Sequence, residues 1–337
     1  MIKTNIDKDP RMLEDEFYAK QFDFSYSSLS KLLYAPNVFY RQYVLGEKDT
    51  EQSKSMLEGS IIHCLLLNPE LFDEQYVIAQ TTVPSDNVKE IIEKVYKIYE
   101  NQEDALKDEL VMYQDDILAE LVNMNLYQKM SDAVKLGKVV NETGIEYFNF
   151  LKSTKGKKVI DTDTYSKCVD VVELLKTHKV TKLMGLDLPD KSDVLTEVEI
   201  TMDMDDFPFG LKGQLDNVHI DHLTKTIYVN DLKTSSRSLT EFTQSVTDYN
   251  YWMQAAIYMR LATKVLGVTI KNASDYKFVF NFVVIDKFNQ IYAFEVSEDT
   301  MTDWQIDLQE KLHEAKYHYE SRDYSLPYKF VKSKVKL

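Results

Sequence analysis

The sequence predicts an α/β (α+β) chain: a central β-sheet flanked by helices, with a helical elaboration toward its N-terminus. Three patterns carry that expectation. Gly213–Lys233 reads as a β-hairpin, in which Leu215, Val218 and Ile220 precede a polar break at Asp221–Lys225. The run Thr226-Ile-Tyr-Val-Asn-Asp-Leu-Lys then has the β-branched and aromatic enrichment of a buried strand. Met56–Pro69 and Asp248–Gly267 carry apolar residues at helical spacing. Asp193–Asp203 alternates as a strand, and Tyr276–Ile285 and Gln290–Val296 add two more, antiparallel if joined through Asp286–Asn289.

In order along the chain, residues 1–23 are charged and expected to be irregular. Phe24–Leu33 sets serines ahead of an apolar run, the mark of an N-capped helix. Pro36 interrupts it, and Asn37–Gly46 reads as a second short helix ended by glycine. In the helix over Met56–Pro69, Gly59 and His63 lie four apart on one face. The glycine permits close backbone approach, and His63 reads either as a core histidine or as a group reaching into a site. Cys64 points about 100° away around the helix, which rejects a Cys–His pair. Residues 84–136 are helix-rich and charged, without a chemical motif.

Gly144–Phe150 and Val159–Ile160 are expected to form a short strand pair around a lysine loop, followed by one amphipathic helix over Asp161–Met184. In Asp193–Asp203, Val194, Thr196, Val198, Ile200 and Met202 should share one face, and Leu195, Glu197, Glu199 and Thr201 the other. After the polar stretch Ser235–Thr247, the helix over Asp248–Gly267 aligns Tyr251, Gln254 and Tyr258 on one stripe. An aromatic stripe is ordinarily core, but a buried glutamine amide within it needs polar partners. A helix over about Thr302–Tyr319 follows. With no repeat and no low-complexity linker, a single domain over 1–337 is expected, with a helix-rich insertion at about 84–184.

Composition narrows the function. The chain is 44% hydrophobic with only 9 Gly and 7 Pro, which describes a packed core and not a disordered polymer. No stretch reaches the length of a membrane span and the first residues lack a signal peptide's apolar region, so a cytoplasmic protein without a membrane partner is expected. Two cysteines, Cys64 and Cys168, cannot build a zinc ribbon or a four-cysteine iron–sulfur cluster. The net charge of −15 runs against the basic footprint of most nucleic-acid binders. An acidic protein still binds DNA when lysines concentrate in one channel and bound metal offsets carboxylates. Lys152–Lys158 and Lys329–Leu337 are candidate basic stretches, and each reads equally as solubilising.

The hairpin holds the chemistry. Asp231 and Lys233, two apart on a strand, point the same way, and pairing of the strands can bring Asp216 beside them. Two carboxylates and an ammonium on one patch suit a hard divalent cation and an anionic substrate. Asp-x-Lys alone is common on solvated strands, so the weight comes from its surroundings.

Those surroundings are, in order, Gly59/His63 on a helix, Glu197 on a strand, Gly213/Asp216 on a strand, Asp231/Lys233/Thr234 at a strand end, and Gln254/Tyr258 on a helix. This order resembles the PD-(D/E)XK nuclease superfamily and, within it, the RecB-like and RecE-type exonuclease branch. Tyr251-x-x-Gln-Ala-Ala-x-Tyr is similar to the RecE-type pattern. The Ser27-Ser-Leu…Pro36…Phe39-Tyr helix pair and the helix bearing His178 also fit that branch, so the resemblance runs from about Phe24 to Gly267. The cysteine-ligated cluster of some relatives is absent, and no helicase motif or Walker loop is visible in this sequence.

The resemblance implies a restriction-endonuclease-like core around a central mixed β-sheet. It implies that Asp216, Asp231 and His63 ligate Mg²⁺ or Mn²⁺, one ion or two, with the Leu232 carbonyl nearby. Glu197 would bind a second metal or hold the attacking water, with Glu199 as the alternative. Lys233 would either position and deprotonate that water or stabilise charge developing on phosphorus. Gln254 and Tyr258 would orient the phosphate and the metal-site side chains. The implied activity is an exodeoxyribonuclease working from ends of double-stranded DNA, 5′ to 3′, in recombination and DNA processing. A single-strand annealing protein as partner and a homo-oligomeric ring are further implications. The alternatives are an endonuclease on branched or single-stranded DNA, and a catalytically silent DNA-binding protein of the same fold.

Overall fold

The computed structural model describes residues 10–47, 53–79, 83–99, 109–154, 157–188, 193–267 and 273–333. Internal contacts gather the chain into two compact units, one over Pro69–Asp170 and the other over Thr4–Asn68 with Val171–Leu337.

The second unit is built on a mixed, six-stranded sheet: β1 (Asp23–Phe24), β2 (Val194–Met202), β3 (Gly210–Asp221), β4 (Thr226–Thr234), β5 (Lys277–Ile285) and β6 (Ile291–Val296). β3 and β4 are the expected antiparallel hairpin, paired from Asn217↔Asn230 to Asp221↔Thr226. Its turn forms because the Asp221 carboxylate accepts the Leu223 and Thr224 N–H groups, the local bonding that suits Asp to turns. β4 runs parallel to β5, and β5 antiparallel to β6. The interior strand β5 is covered on both faces, which is why Val279–Ile285 is buried throughout and apolar but for Asn281.

Helices cover the sheet: α1 (Pro10–Tyr18), α2 (Tyr26–Tyr34), α3 (Pro36–Phe39, passing into a π-turn over Tyr40–Val44), α4 (Lys54–Leu67), α5 (Val180–Met184), α6 (Phe242–Asp248), α7 (Tyr251–Leu261) and α8 (Glu298–Ser321). Ser25 and Ser28 close a reciprocal capping box on α2, as the serine run predicts. α7 packs on β3 and β5 and against α8, while α4 and α5 pack on β3 and β4. The main core lies on the α7 side, where Leu215, Ile227, Phe280 and Phe282 of the sheet meet Ala256, Ile257 and Leu312.

A polar ladder crosses three strands. The Asn281 amide donates to Asn230 Oδ1, Asn230 to Asn217 Oδ1, and Asn217 to the Met184 carbonyl, at 3.0, 2.7 and 3.0 Å. The His219 ring bonds the neighbouring Leu183 carbonyl at 3.0 Å. These bonds take up carbonyls that the end of α5 leaves open before Gly185, whose φ of +67° terminates it. Fully satisfied buried amides of this kind fix register, because a slip would leave each one unpaired.

The unit over Pro69–Asp170 is mainly helical. Ile91, Ile92 and Val95 from Asp86–Tyr99, Ile117 and Leu121 from Gln114–Asn123, and Tyr147, Phe148 and Leu151 from Glu142–Thr154 share one core. Tyr76–Ile78 and Lys158–Ile160 form a two-stranded parallel ribbon.

Several local expectations are corrected. Gly144–Phe150 is helical, within Glu142–Thr154, and only the strand near Val159–Ile160 stands. Gly144, Tyr147, Phe148 and Leu151 are the buried positions, a 3.6-residue period that aromatic content had masked. Asp161–Met184 is two helices, Thr162–Thr177 and α5, because the chain turns at His178, whose carbonyl accepts both the N–H and the hydroxyl of Thr181. Residues 10–18 form α1, where an irregular segment was expected; residues 1–9 of that stretch lie outside the described residues. In the lysine loop, Lys157 donates to the Asp73 carbonyl and Lys158 sits over the Tyr76 ring, while residues 155–156 lie outside the described residues. Lys332 of the other basic stretch sits over Tyr317, and residues 334–337 are likewise outside. Among the described residues, no helix is long and apolar enough to cross a membrane.

Replacing Asn230 with alanine should strand the amides of Asn217 and Asn281, at about 1–3 kcal/mol for each group left unpaired. The expected outcome is a lower urea midpoint with an unchanged slope. An unaltered midpoint would show that the ladder contributes nothing.

Candidate active site

The site begins where the hairpin opens. Leu211 of β3 pairs with both Met202 of β2 and Phe24 of β1, and Val218 pairs with both Leu195 of β2 and Val229 of β4. β1 and β4 therefore share one edge of β3, at opposite ends, and no described strand pairs that edge between them. Asp216 stands at the opening. Its Oδ2 accepts the Leu232 N–H at 2.8 Å, so a carboxylate replaces the ladder carbonyl that β4 would otherwise meet.

β2 contributes through a break in its own alternation. Thr196 bonds Asn68 at the end of α4, while Leu195 packs into the core on the α7 side. Beyond Glu197 the parity reverses, because Val198, Ile200 and Met202 also face that core. The cause is Glu197 itself, a non-glycine residue at φ +50°, and the β2–β3 register omits the pair it would form with Asp216. A left-handed residue within a strand is strained, and such residues gather at functional sites. The reversal turns Glu197 toward α4 and leaves Glu199 exposed, away from the group. The expected single-face alternation is thus corrected, and Glu199 drops out as the alternative.

His63 arrives from α4. Gly59, one turn earlier, keeps the crossing close, since a Cβ there would lie a tight 3.0 Å from Thr234 Oγ1. His63 Nε2 lies 2.9 Å from the Leu232 carbonyl, which can only accept, so Nε2 carries a proton. Nδ1 then faces Asp216 Oδ2 at 3.7 Å and Glu197 Oε1 at 3.8 Å. Ligand atoms of His63, Glu197 and Asp216 all lie within 4.8 Å of one another. Burial opposes the charged imidazole, but the nearby Asp216 and Glu197 carboxylates outweigh it and raise the His63 pKa.

Asp231 and Lys233 face the other way, toward α7. Lys233 Nζ lies 2.8 Å from Asp231 Oδ2, donates to Gln254 Oε1 at 2.9 Å, and sits 4.7 Å from the centre of the Tyr251 ring. The stripe of Tyr251, Gln254 and Tyr258 therefore lies against this pair, and the amide partner that Gln254 requires is the lysine. Gly213 lets α7 approach, because a Cβ there would come within 2.9 Å of Tyr258 and Leu261. Asp231 is fully buried, with the Lys233 ammonium as its counter-charge. Burial pushes its pKa up to about 6, against the pull of Lys233 and with the repulsion of Asp216. For Lys233, burial is outweighed by Asp231 and Asp216, which raise its pKa and keep it charged. Burial likewise raises Asp216 and Tyr258.

The PD-(D/E)XK nuclease superfamily model matches residues 23–325. The chain belongs to this superfamily. Comparison with curated proteins gives no match. Among solved structures, one from Eubacterium rectale, described as a "Putative exonuclease", aligns at a TM-score of 0.43 and 11% identity, over 94% of this chain and 84% of that one.

PD-(D/E)XK nucleases generally use divalent metal ions, and the donor set here fits one. An imidazole lone pair and two carboxylates converge at 3.7–3.8 Å, too far to hydrogen-bond one another. Carboxylate oxygens with one imidazole suit a divalent cation. Asp231 stands outside this trio, its buried carboxylate ion-paired with Lys233 at 2.8 Å. The Asn217–Asn230–Asn281 ladder, one residue beyond both Asp216 and Asp231, was missed; three asparagines on separate strands give no signal until register is known.

The pH dependence follows from Asp231. Unfolded, it releases its proton near pH 4; folded, it holds it until about pH 6. The folded state binds more protons between these values, so this group lowers stability as pH rises through that window. In chelator, wild type should lose urea resistance relative to Asp231→Asn between pH 4 and pH 6.5. Parallel pH profiles for the two proteins would contradict the assignment.

Proposed function

We propose that this chain is a metal-dependent exodeoxyribonuclease that hydrolyses double-stranded DNA from its ends, 5′ to 3′, of the RecB-like and RecE-type branch. A role in recombination, a cytoplasmic setting, a single-strand annealing partner and a ring-shaped oligomer belong to the same proposal. The observation that carries the reading is the convergence of His63, Glu197 and Asp216 beside the Asp231–Lys233 pair.

His63 Nδ1, Glu197 and Asp216 would hold Mg²⁺ or Mn²⁺, with the Leu232 carbonyl and Asp231 alongside. Such an ion supplies Lewis-acid polarisation of the phosphodiester and a lowered pKa for water. Asp216 is oriented by the Leu232 N–H, donated to Oδ2, the same oxygen that faces His63 Nδ1. Glu197 is the most exposed of the three carboxylates, and its oxygen accepts the proton of the attacking water. Lys233 is held charged by Asp231 and Asp216, so it acts as a cation toward charge developing on the phosphate and not as a base. Gln254 holds the lysine by its amide oxygen, and Tyr258 backs it from the next turn of α7.

Asp216→Ala and Lys233→Ala should each slow hydrolysis of linear duplex DNA about a thousandfold or more, a loss of roughly 4 kcal/mol of transition-state stabilisation, with the circular dichroism spectrum retained. The test compares 5′- and 3′-end-labelled linear duplexes with a covalently closed circle, in Mg²⁺ and in Mn²⁺. Release from the 5′ ends alone is expected. Equal cutting of the closed circle would overturn the exonuclease reading, and undiminished digestion by either variant would overturn the site.

A further inference from the structure

We propose that Tyr249 is a stacking platform for a nucleobase of the DNA strand next to the scissile phosphate, an inference that rests on the nuclease reading of the site. Tyr249 lies in the turn between α6 and α7 and is 48% exposed. Exposed tyrosines are ordinarily free to move, but this segment is fixed. The Tyr26 hydroxyl donates to the Tyr249 carbonyl, and the Tyr34 hydroxyl donates to Asn250 Oδ1 at 3.2 Å. The ring is also held from one face. Arg237, anchored at 2.6 Å on Asp248, places its guanidinium carbon 5.2 Å from the ring centre.

The ring continues the catalytic row outward. Lys233 Nζ sits 4.7 Å from the centre of Tyr251, and Tyr251 lies 5.6 Å from Tyr249, centre to centre. A strand whose phosphate meets Lys233 therefore has its neighbouring bases beside an ordered, half-exposed aromatic ring with a cation over one face. Nucleobases of any sequence stack on such a face, and a platform ordered in advance loses little freedom on binding. Neither Tyr249 nor Arg237 is asked to touch the reacting atoms, so the platform acts on binding of the strand and not on the chemical step.

The experiment measures binding in Ca²⁺, which offsets the carboxylates while its loosely held water is a poor nucleophile, of a fluorescein-labelled single strand and of the same strand made abasic at its two terminal nucleotides. Wild type should bind the intact strand about tenfold more tightly than the abasic one. Tyr249→Ala should lose that preference, and Tyr249→Trp should keep it. The tryptophan variant and a thermal melt of each protein separate loss of stacking from loss of fold. The proposal is overturned if Tyr249→Ala discriminates between the two strands as wild type does, or if wild type does not discriminate. Digestion of linear duplex by wild type, run alongside in Mg²⁺, tests the nuclease reading separately: digestion without base discrimination removes only the platform.

Discussion

One hydrogen bond sets the geometry on which the site depends: the Leu232 N–H donated to the carboxylate of Asp216. In an unbroken hairpin that N–H would meet a backbone carbonyl, and the strands would run together to the end. With a side chain in that place, β3 and β4 part after Asn217↔Asn230. The Leu232 carbonyl is then met by His63, and Asp231 and Lys233 are carried past the last pair toward α7. The asparagine ladder one residue below holds the strands in register at the point where they open. Stability and chemistry meet here, since the residues that end the pairing are those that carry the acid groups.

The electrostatics follow from this crowding. Three carboxylates face one ammonium and one imidazole, and Asp231 is fully buried. Such a cluster is costly in an empty site, which the upward shifts of Asp216 and Asp231 express. A divalent cation removes the excess negative charge and makes the patch acceptable to a phosphodiester. The chain's overall charge of −15 is therefore compatible with a nucleic-acid substrate when the site is loaded.

Much of this was legible in the sequence because it is local. Asp231 and Lys233 share a face by strand geometry, Gly59 and His63 by helix geometry, and the Tyr251–Gln254–Tyr258 stripe by the same rule. The order of these pieces pointed to the superfamily before any distance was known. Glu197 was singled out, yet the left-handed backbone that aims it was invisible, since it reverses the alternation on which strand reading relies. The helix over Glu142–Thr154 was mistaken for a strand because aromatic enrichment outweighed a 3.6-residue period. The asparagine ladder and the Asp216–Leu232 bond depend on tertiary pairing, so no local pattern announces them.

The most direct test is anomalous diffraction from crystals grown with Mn²⁺. The geometry requires a manganese peak bounded by His63, Glu197 and Asp216, next to the Leu232 carbonyl, and its loss in Asp216→Ala. A fully loaded crystal with manganese elsewhere, or a peak that survives removal of Asp216, would contradict the assignment of this cluster as the metal centre.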